Sequence, residues 1–252
     1  MHIAVLIKQI HSLGTTQIRP AREENISEFR INRLDEHALE EALRIKESLP
    51  GVTLTLISLG PDRVTEALRR GLGMGADNAI HLKAEMEPLS ATDTAAALRP
   101  VLKDLAPDLI VCGAMSEDLM QGMTGPALAA MLGIPWVSQV VKELLIHSDN
   151  KTLEATRDAG AGSRQVIRLP FPCLVTIQQG FNIPRYPNIS HMIQARTRPI
   201  PSRDAPATSN TTPVTGSSPP TRRGRGLRIT GTPEEQAAQF VAYLQERQVL
   251  KT

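Results

Sequence analysis

A strand, a loop of small residues and the start of a helix follow one another between Asp108 and Gly133, in the run DLIVCGAMSEDLMQGMTGPALAAMLG. Leu109-Ile110-Val111-Cys112 is a short apolar run between Pro107 and Gly113, which predicts a buried strand rather than a helix. Gly113 to Gly125 is rich in small and polar residues. Pro126 then opens an Ala/Leu-rich helix that stops near Gly133, the expected placing of proline at a helix start and glycine at its end. Such a unit is expected to make an anion site, with the loop's N–H groups unpaired and a helix N-terminus carrying roughly half an elementary positive charge. Ser116, Gln121 and Thr124 add hydroxyl and amide groups to the same loop. The unit reads as a phosphate cradle for a nucleotide, although composition alone fits an ordinary βα connection equally well.

The rest of the chain supplies a parallel sheet for that unit. Ile3 to Ile7 reads as a first strand buried on both faces, with Lys8 and Gln9 at the end where open α/β sheets place ligands. His11 to Ile31 is polar, contains Gly14 and Pro20, and is longer than a typical connection. A helix is expected from Arg33 to Ser48, with Asn32 as N-cap, Asp35 and Glu36 in the first turn, and Leu34, Ala38, Ala42, Ile45 and Leu49 as its buried stripe. Val52 to Ser58 is a second strand, Asp62 to about Leu72 a helix closed by Gly71, Gly73 and Gly75, and Asn78 to Leu82 a third strand with His81 packed inside it. These glycines follow a helix rather than a strand, so they are not a phosphate loop. Ala91 to Leu105 is a helix capped by Thr92 or Ser90. This alternation implies a parallel sheet with right-handed crossovers.

After Gly133 the pattern changes. Val137–Ile146, Thr152–Arg157, Gln165–Leu169 and Cys173–Gln178 are strand-like with few residues between them, which predicts antiparallel strands added to one side, the Asp158–Ser163 run forming a glycine-rich turn. Pro184 to Ala195 holds a second loop and a short helix. Residues 198 to 231 are rich in Pro, Ser, Thr and Arg and nearly lack large apolar residues, so they are expected to be a flexible tether. The globular domain would then be residues 1–197. The arm, 232–252, would begin at a helix capped by Thr232 with Pro233 at its first position, and Ala237, Phe240, Val241 and Leu244 would form one apolar face.

Composition narrows the class. A formal charge of +2 over 252 residues gives no basis for nucleic-acid binding, although Arg196, Arg198, Arg203, Arg222, Arg223, Arg225 and Arg228 crowd one stretch with Asp204 as its only acid. Cys112 and Cys173 each sit in an apolar run, as buried free thiols do, and no metal-ligand spacing is present. The first apolar run is too short for a signal peptide, and no run approaches the ~20 residues of a membrane span, so a cytoplasmic chain in a reducing compartment is expected.

ALEEALRIKE at Ala38–Glu47, LGMGADNAIHL at Leu72–Leu82, the Asp108–Val140 block, and FPCLVTIQQGFNIPRYPNI followed by MIQA resemble, in this order and spacing, the beta subunit of electron-transfer flavoprotein. The resemblance covers roughly Ile3 to Arg198. It implies a Rossmann-like α/β domain with a C-terminal arm reaching onto a larger alpha subunit, which holds the redox-active FAD. It also implies an adenine-nucleotide pocket in this chain, filled by AMP in most such subunits and by a second FAD in the electron-bifurcating branch. Carried over by position, the pocket residues are Leu6, Asn32, Arg33, Leu34, Asp35, Leu59, Gly113, Ala114, Met115, Ser116, Asp118, Gln121, Gly122, Met123 and Thr124. The implied partners are the alpha subunit, flavin dehydrogenases such as the acyl-CoA dehydrogenases of fatty acid oxidation, and a membrane quinone oxidoreductase. Partner contacts would come from Ile189, standing where the family carries an anchoring leucine, and from Phe240, Val241 and Leu244 of the arm. No catalytic residues are implied.

Two departures stand out. Arg157-Asp158-Ala159-Gly160-Ala161-Gly162-Ser163-Arg164-Gln165 lacks the family's usual glutamate, in a region that in the family helps position the flavin domain, and Asp158 is the candidate substitute. The family's lysine-rich run after the partner loop is here Gln194-Ala195-Arg196-Thr197-Arg198. A different reading is a stand-alone adenine-nucleotide-binding regulatory protein of the same broad fold, which needs neither the partner loop nor the tethered helix. An ATP-pyrophosphatase enzyme is disfavoured because Lys8-Gln9-Ile10-His11 follows the first strand in place of a Ser-Gly-Gly-x-Asp-Ser-like loop.

Overall fold

The computed structural model describes residues 1–12, 29–84, 90–142, 144–206 and 226–249. They belong to two compact units, Met1–Gly216 and Ser217–Thr252. The larger unit is built on strands β1 (His2–Leu6), β4 (Thr53–Gly60), β5 (Asn78–Lys83), β6 (Leu109–Gly113), β7 (Trp136–Val140), β8 (Leu145–His147), β9 (Thr152–Gly160), β10 (Ser163–Pro170), β11 (Cys173–Ile177) and β12 (Ser202–Asp204). They form one ten-stranded sheet in the order β10-β9-β7-β11-β6-β1-β4-β5-β12, with β8 paired to β9. From β7 to β12 every neighbouring pair is parallel; only β8, β9 and β10 run antiparallel to their neighbours.

The helices cover both faces. One core cluster joins α1 (Arg33–Ser48) and α2 (Thr65–Met74) to one side of the sheet, through Ala38, Leu39, Leu43, Leu68 and Leu72 against Val5, Leu54, Leu56 and Val111. The other joins α3 (Ala91–Leu105) and α4 (Thr124–Leu132) to the opposite side, through Leu98, Leu102 and Leu128 against Ala4, Ile57 and Ile110. Strands buried on both faces explain why they read as unbroken apolar runs.

Most local expectations match. α1 and α3 have the expected bounds, Ser90 is the cap of α3, and His81 is buried with Nε2 2.8 Å from the carbonyl of Gly60. Leu34, Ala38, Ala42 and Ile45 are buried, whereas Leu49 lies only partly buried just beyond α1. Cys112 and Cys173 are free, buried thiols. Gly71 and Gly73 lie inside α2 rather than ending it, because the helix packs so closely that a Cβ at Gly73 would sit 2.2 Å from Met192 Sδ; Gly75 alone ends the helix. Part of the long polar segment has structure: β2 (Gln9–His11) and β3 (Phe29–Ile31) pair antiparallel, while residues 13–28, with Gly14 and Pro20, lie outside the described residues.

The region after Gly133 needs two corrections. β11 is not an added antiparallel strand; it is inserted between β6 and β7, parallel to both, and all five of its residues are buried. Val137–Ile146 is two short strands rather than one, with β7 in the parallel part of the sheet. The antiparallel addition is real but confined to β8, β9 and β10, and β9 and β10 meet at the tight turn Ala161-Gly162.

The expected tether also begins later than Arg198. Ser202–Asp204 extends the sheet beside β5, and Ala205 donates to the carbonyl of Lys83 at 2.8 Å, so backbone pairing orders a stretch that has no apolar residues to bury. Residues 207–225, including Arg222, Arg223 and Arg225, lie outside the described residues. In the smaller unit, α6 (Pro233–Glu246) starts with a full capping box between Thr232 and Glu235, and none of its residues is buried.

Candidate functional site

The strand order reverses beside β1. From β1 the chain moves through α1 to β4 and on to β5, then α3 returns it to β6 on the other side of β1. Open α/β sheets bind ligands at such a reversal, outside the carboxyl ends of the strands. An open cleft of about 1040 Å³, including the solvent at its mouth, lies there. Its walls come from the ends of β1, β4 and β6, from α3, and from the loop between β6 and α4.

The pairing explains why the cleft opens at this point. β1 and β6 are in register from Ile3/Leu109 to Val5/Val111 and then part. Beyond that, Ile7 donates to Ile57 of β4, and Ala114 donates to Ile177 of β11. The buried carboxylate of Asp35 fills the fork, accepting the amide of Lys8 at 2.8 Å and that of Gly113 at 2.9 Å. Gly113 leaves the space for it, since a Cβ there would lie 2.3 Å from Asp35 Oδ1. Burial raises the Asp35 carboxyl to about 7 even though both N–H bonds favour its charged form.

Asn32 occupies the N-cap position of α1 but makes no side-chain cap. Its amide reaches the loop instead, with Nδ2 donating to the carbonyl of Met115 at 2.9 Å and Oδ1 accepting from Glu117 N at 3.1 Å. Lys8 Nζ lies 2.7 Å from Asp118 Oδ2. Burial opposes the charge on Asp118, but Lys8, the Ser116 hydroxyl and the Leu119 amide together hold its carboxyl below the usual carboxylate range.

The loop therefore has two halves. From Gly113 to Met120 several amides are already satisfied by the protein, which corrects the expectation that they are all free: Gly113, Ala114, Glu117, Leu119 and Met120 all donate within the chain. From Gly122 to Gly125, among the described residues, no amide meets an acceptor of the chain. α4 starts at Thr124, two residues before Pro126, and packs tightly at its base: a Cβ on Gly125 would lie 2.7 Å from Thr176 Cγ2 and 3.2 Å from Cys112 Sγ. The free amides, the positive end of the helix and the Thr124 hydroxyl together suit an anion.

Of the fifteen pocket positions carried over from the sequence, Leu6, Asn32, Asp35, Leu59, Gly113, Ala114, Met115, Ser116, Asp118, Gln121, Gly122, Met123 and Thr124 line the cleft. Arg33 and Leu34 do not. Arg33 is exposed at the start of α1, and Leu34 is buried beneath Gly113. The cleft also uses residues outside those fifteen: Lys8, read from the sequence as standing at the ligand end of the first strand, and Ile7 beside it, Gly60 at the end of β4, and Ala91, Thr94 and Leu98 on α3. Lys8 and Gly60 were legible as residues at the carboxyl ends of strands; the α3 residues had no local signal. Among the described residues, no cluster of metal-ligating side chains occurs and no helix is long and apolar enough to cross a membrane.

A second surface lies at the loop before α5 (Ile189–Thr197). Arg185 braces it, bonding Glu40 through Nε at 2.9 Å and Glu47 through Nη2 at 3.0 Å. Beyond this brace Ile183, Tyr186, Ile189 and Ile193 are exposed, Ile189 by 78%. On α6, Phe240 and Val241 are exposed and Leu244 is half-buried.

Residues 23–208 match the family model described as the electron transfer flavoprotein domain. The chain is 33% identical to the electron transfer flavoprotein subunit beta of Methylophilus methylotrophus, over 98% of both sequences. It is 34% identical to that of Megasphaera elsdenii, over 82% of this chain and 79% of the relative. A relative called Protein FixA, from Azotobacter vinelandii, is 29% identical over 77% of this chain and 72% of its own.

Proposed function

The chain belongs to the electron transfer flavoprotein beta-subunit family, and from that membership we propose that it pairs with an alpha subunit and holds an adenine nucleotide in the cleft between β1 and β6. The observation that carries this reading is the division of the Gly113–Gly125 loop. One half is already bonded into the fold, and the other presents the unpaired amides of Gly122 to Gly125 at the start of α4. A preformed shape with free donors at one end suits the phosphate of AMP, or the pyrophosphate of a second FAD. Leu6, Ile57, Leu59 and Leu98 supply apolar surface for the rest of the nucleotide.

AMP brings no redox chemistry to the site, whereas a second FAD would bring its own capacity to carry electrons. The chain's part is to bind and orient. Asp35, Asn32 and Lys8 brace the loop, the Gly122–Gly125 amides receive the anion, and the loop around Ile189 offers apolar surface to a partner protein. In this reading the subunit contributes no catalytic residue. It supports the FAD of the alpha subunit while electrons pass from flavin dehydrogenases, acyl-CoA dehydrogenases among them, towards a membrane quinone oxidoreductase.

Co-expression with an alpha subunit, followed by denaturation and counting of flavin and AMP per heterodimer, tests the reading. One FAD with one AMP supports the AMP form, and two FAD support the flavin form. Repeated preparations containing neither AMP nor a second flavin would overturn nucleotide binding by this chain.

A further inference from the structure

At an ordinary helix start, the cap residue accepts an N–H from the first turn, and an acid three residues on returns the favour. α6 does this with Thr232 and Glu235. α1 makes the same exchange with a partner from elsewhere in the chain. Asn32, at its N-cap position and buried, accepts the amide of Glu117 at 3.1 Å across 85 positions of sequence. Glu117 returns the bond, its Oε2 accepting the first amide of the helix, that of Arg33, at 3.2 Å. Arg30 holds the same carboxylate at 2.9 Å, and Arg33 Nε lies 3.9 Å from its other oxygen.

This exchange sits behind the wall of the cleft. Met115, Ser116 and Asp118 line the cleft, and Glu117 does not. The segment from Met115 to Asp118 belongs to no helix or strand, so its shape rests on a few side-chain bonds and one backbone bond, from Met120 N to the carbonyl of Ser116. Asn32 holds the Met115 carbonyl and the Glu117 amide, Glu117 holds α1, and Lys8 holds Asp118. We propose that Glu117 is a positioning residue of the cleft: with Asn32 it forms a cap shared between α1 and the loop, and this shared cap holds the Met115–Asp118 wall in the shape that receives the nucleotide. The structural half stands on the hydrogen bonds alone; the functional half rests on the reading of the cleft as a nucleotide site.

The test uses the full chain purified with its alpha subunit, as wild type, Glu117→Ala and Glu117→Gln. Hydrogen exchange of a peptide covering Ala114–Leu119 is compared with a peptide from α3 in the same sample, and AMP binding to nucleotide-stripped protein is measured by calorimetry. Glu117→Ala is expected to speed exchange of the loop peptide by about tenfold, the scale of one lost charge-assisted hydrogen bond, and to weaken AMP by a similar factor. Glu117→Gln keeps an oxygen for the Arg33 amide and is expected to recover most of both, which a general loss of stability would not produce. Unchanged loop exchange in Glu117→Ala overturns the shared cap. Faster exchange with AMP affinity equal to wild type overturns the positioning role. Should Glu117→Ala fail to fold, Asn32→Asp keeps the size but turns the donor aimed at Met115 into an acceptor. It is expected to speed the same peptide, and an unchanged rate is equally fatal. If wild type takes up no AMP while loop exchange follows the order of the variants, the nucleotide reading falls and the shared cap stands.

Discussion

Asp35 Oδ1 lies 2.9 Å from the amide nitrogen of Gly113, where β1 and β6 have stopped pairing with each other. The carboxylate does the work of a missing ladder bond, and it is buried in doing so. Burial lifts it from its ordinary 3.8 to about 7. The folded chain therefore holds this proton more tightly than the unfolded chain does. The stabilisation linked to it is fully present below about pH 4 and is lost as pH rises through about 7. Its full span is on the order of 4 kcal/mol. Asp35→Asn has no proton to lose, so the difference in Tm between wild type and variant should change steadily between pH 4 and 8. A constant difference across that range would show that Asp35 does not titrate there.

Thr124 offers the hydroxyl at the head of α4, next to the free amides of Gly122 to Gly125. Thr124→Val keeps the size and the β-branch and removes only the hydroxyl. If that hydroxyl bonds a phosphate, nucleotide affinity should fall by about 1–2 kcal/mol with little change in Tm. Equal retention of AMP by the two proteins, measured by mass spectrometry after dialysis, would exclude the hydroxyl from the site.

The contrast between Thr124 and Glu117 shows which parts of this site a sequence displays. Thr124 belongs to a local unit, strand then small-residue loop then helix, and each piece is marked by residues a few positions apart. The parallel sheet follows from the alternation of strands and helices as far as α4, but the order of its strands, and with it the reversal beside β1, is seen only in the structure. Glu117 acts through Asn32, 85 positions away, and nothing in its own neighbourhood announces that contact. The misplaced strand β11 is a different case, because its signal was present. Thr152–Arg157 alternates between inward and outward residues, as a half-exposed strand does, whereas Cys173-Leu174-Val175-Thr176-Ile177 is buried throughout. An unbroken buried run belongs in the middle of a parallel sheet. Its nearness in sequence to β9 and β10 outweighed its composition. β12 left no apolar trace at all, because backbone pairing and polar contacts, Ser202 to His81 and Arg203 to Asp104, hold Ser202-Arg203-Asp204 beside β5.

Ile189 is the first residue of α5, held outward while the loop beneath it is fixed. Asn188 caps the helix through Ser190 N and donates its own amide to Gly73, and Arg185 bonds Glu40 and Glu47. An exposed apolar side chain on a braced loop loses little entropy on docking. Ile189→Ala should slow electron transfer from a flavin dehydrogenase by about tenfold, the scale of a buried anchor contact, with heterodimer yield and flavin content unchanged. Stopped-flow reduction kinetics equal to wild type would place the docking contact elsewhere.

The C-terminal helix calls for a deletion at a different point from the one its sequence suggests. A cut after Arg198 would remove β12 as well as the arm, exposing the edge of β5 and confusing two effects. A cut after Pro206 leaves the ten-stranded sheet whole. α6 by itself has strong start signals in its capping box and an apolar face on which Phe240 is 53% and Val241 44% exposed. An isolated helix of this length is marginal in water, so its stability has to come from a surface that covers that face. The surface expected here is the alpha subunit. The chain ending at Pro206 should keep its Tm and its adenine nucleotide but bind the alpha subunit at least about tenfold more weakly, and Phe240→Ala with Leu244→Ala in the full chain should reproduce most of that loss. A truncated chain that pairs as tightly as the full one, measured by analytical ultracentrifugation, would mean that the arm has no part in assembly. A truncated chain that melts many degrees lower would mean that α6 stabilises its own subunit.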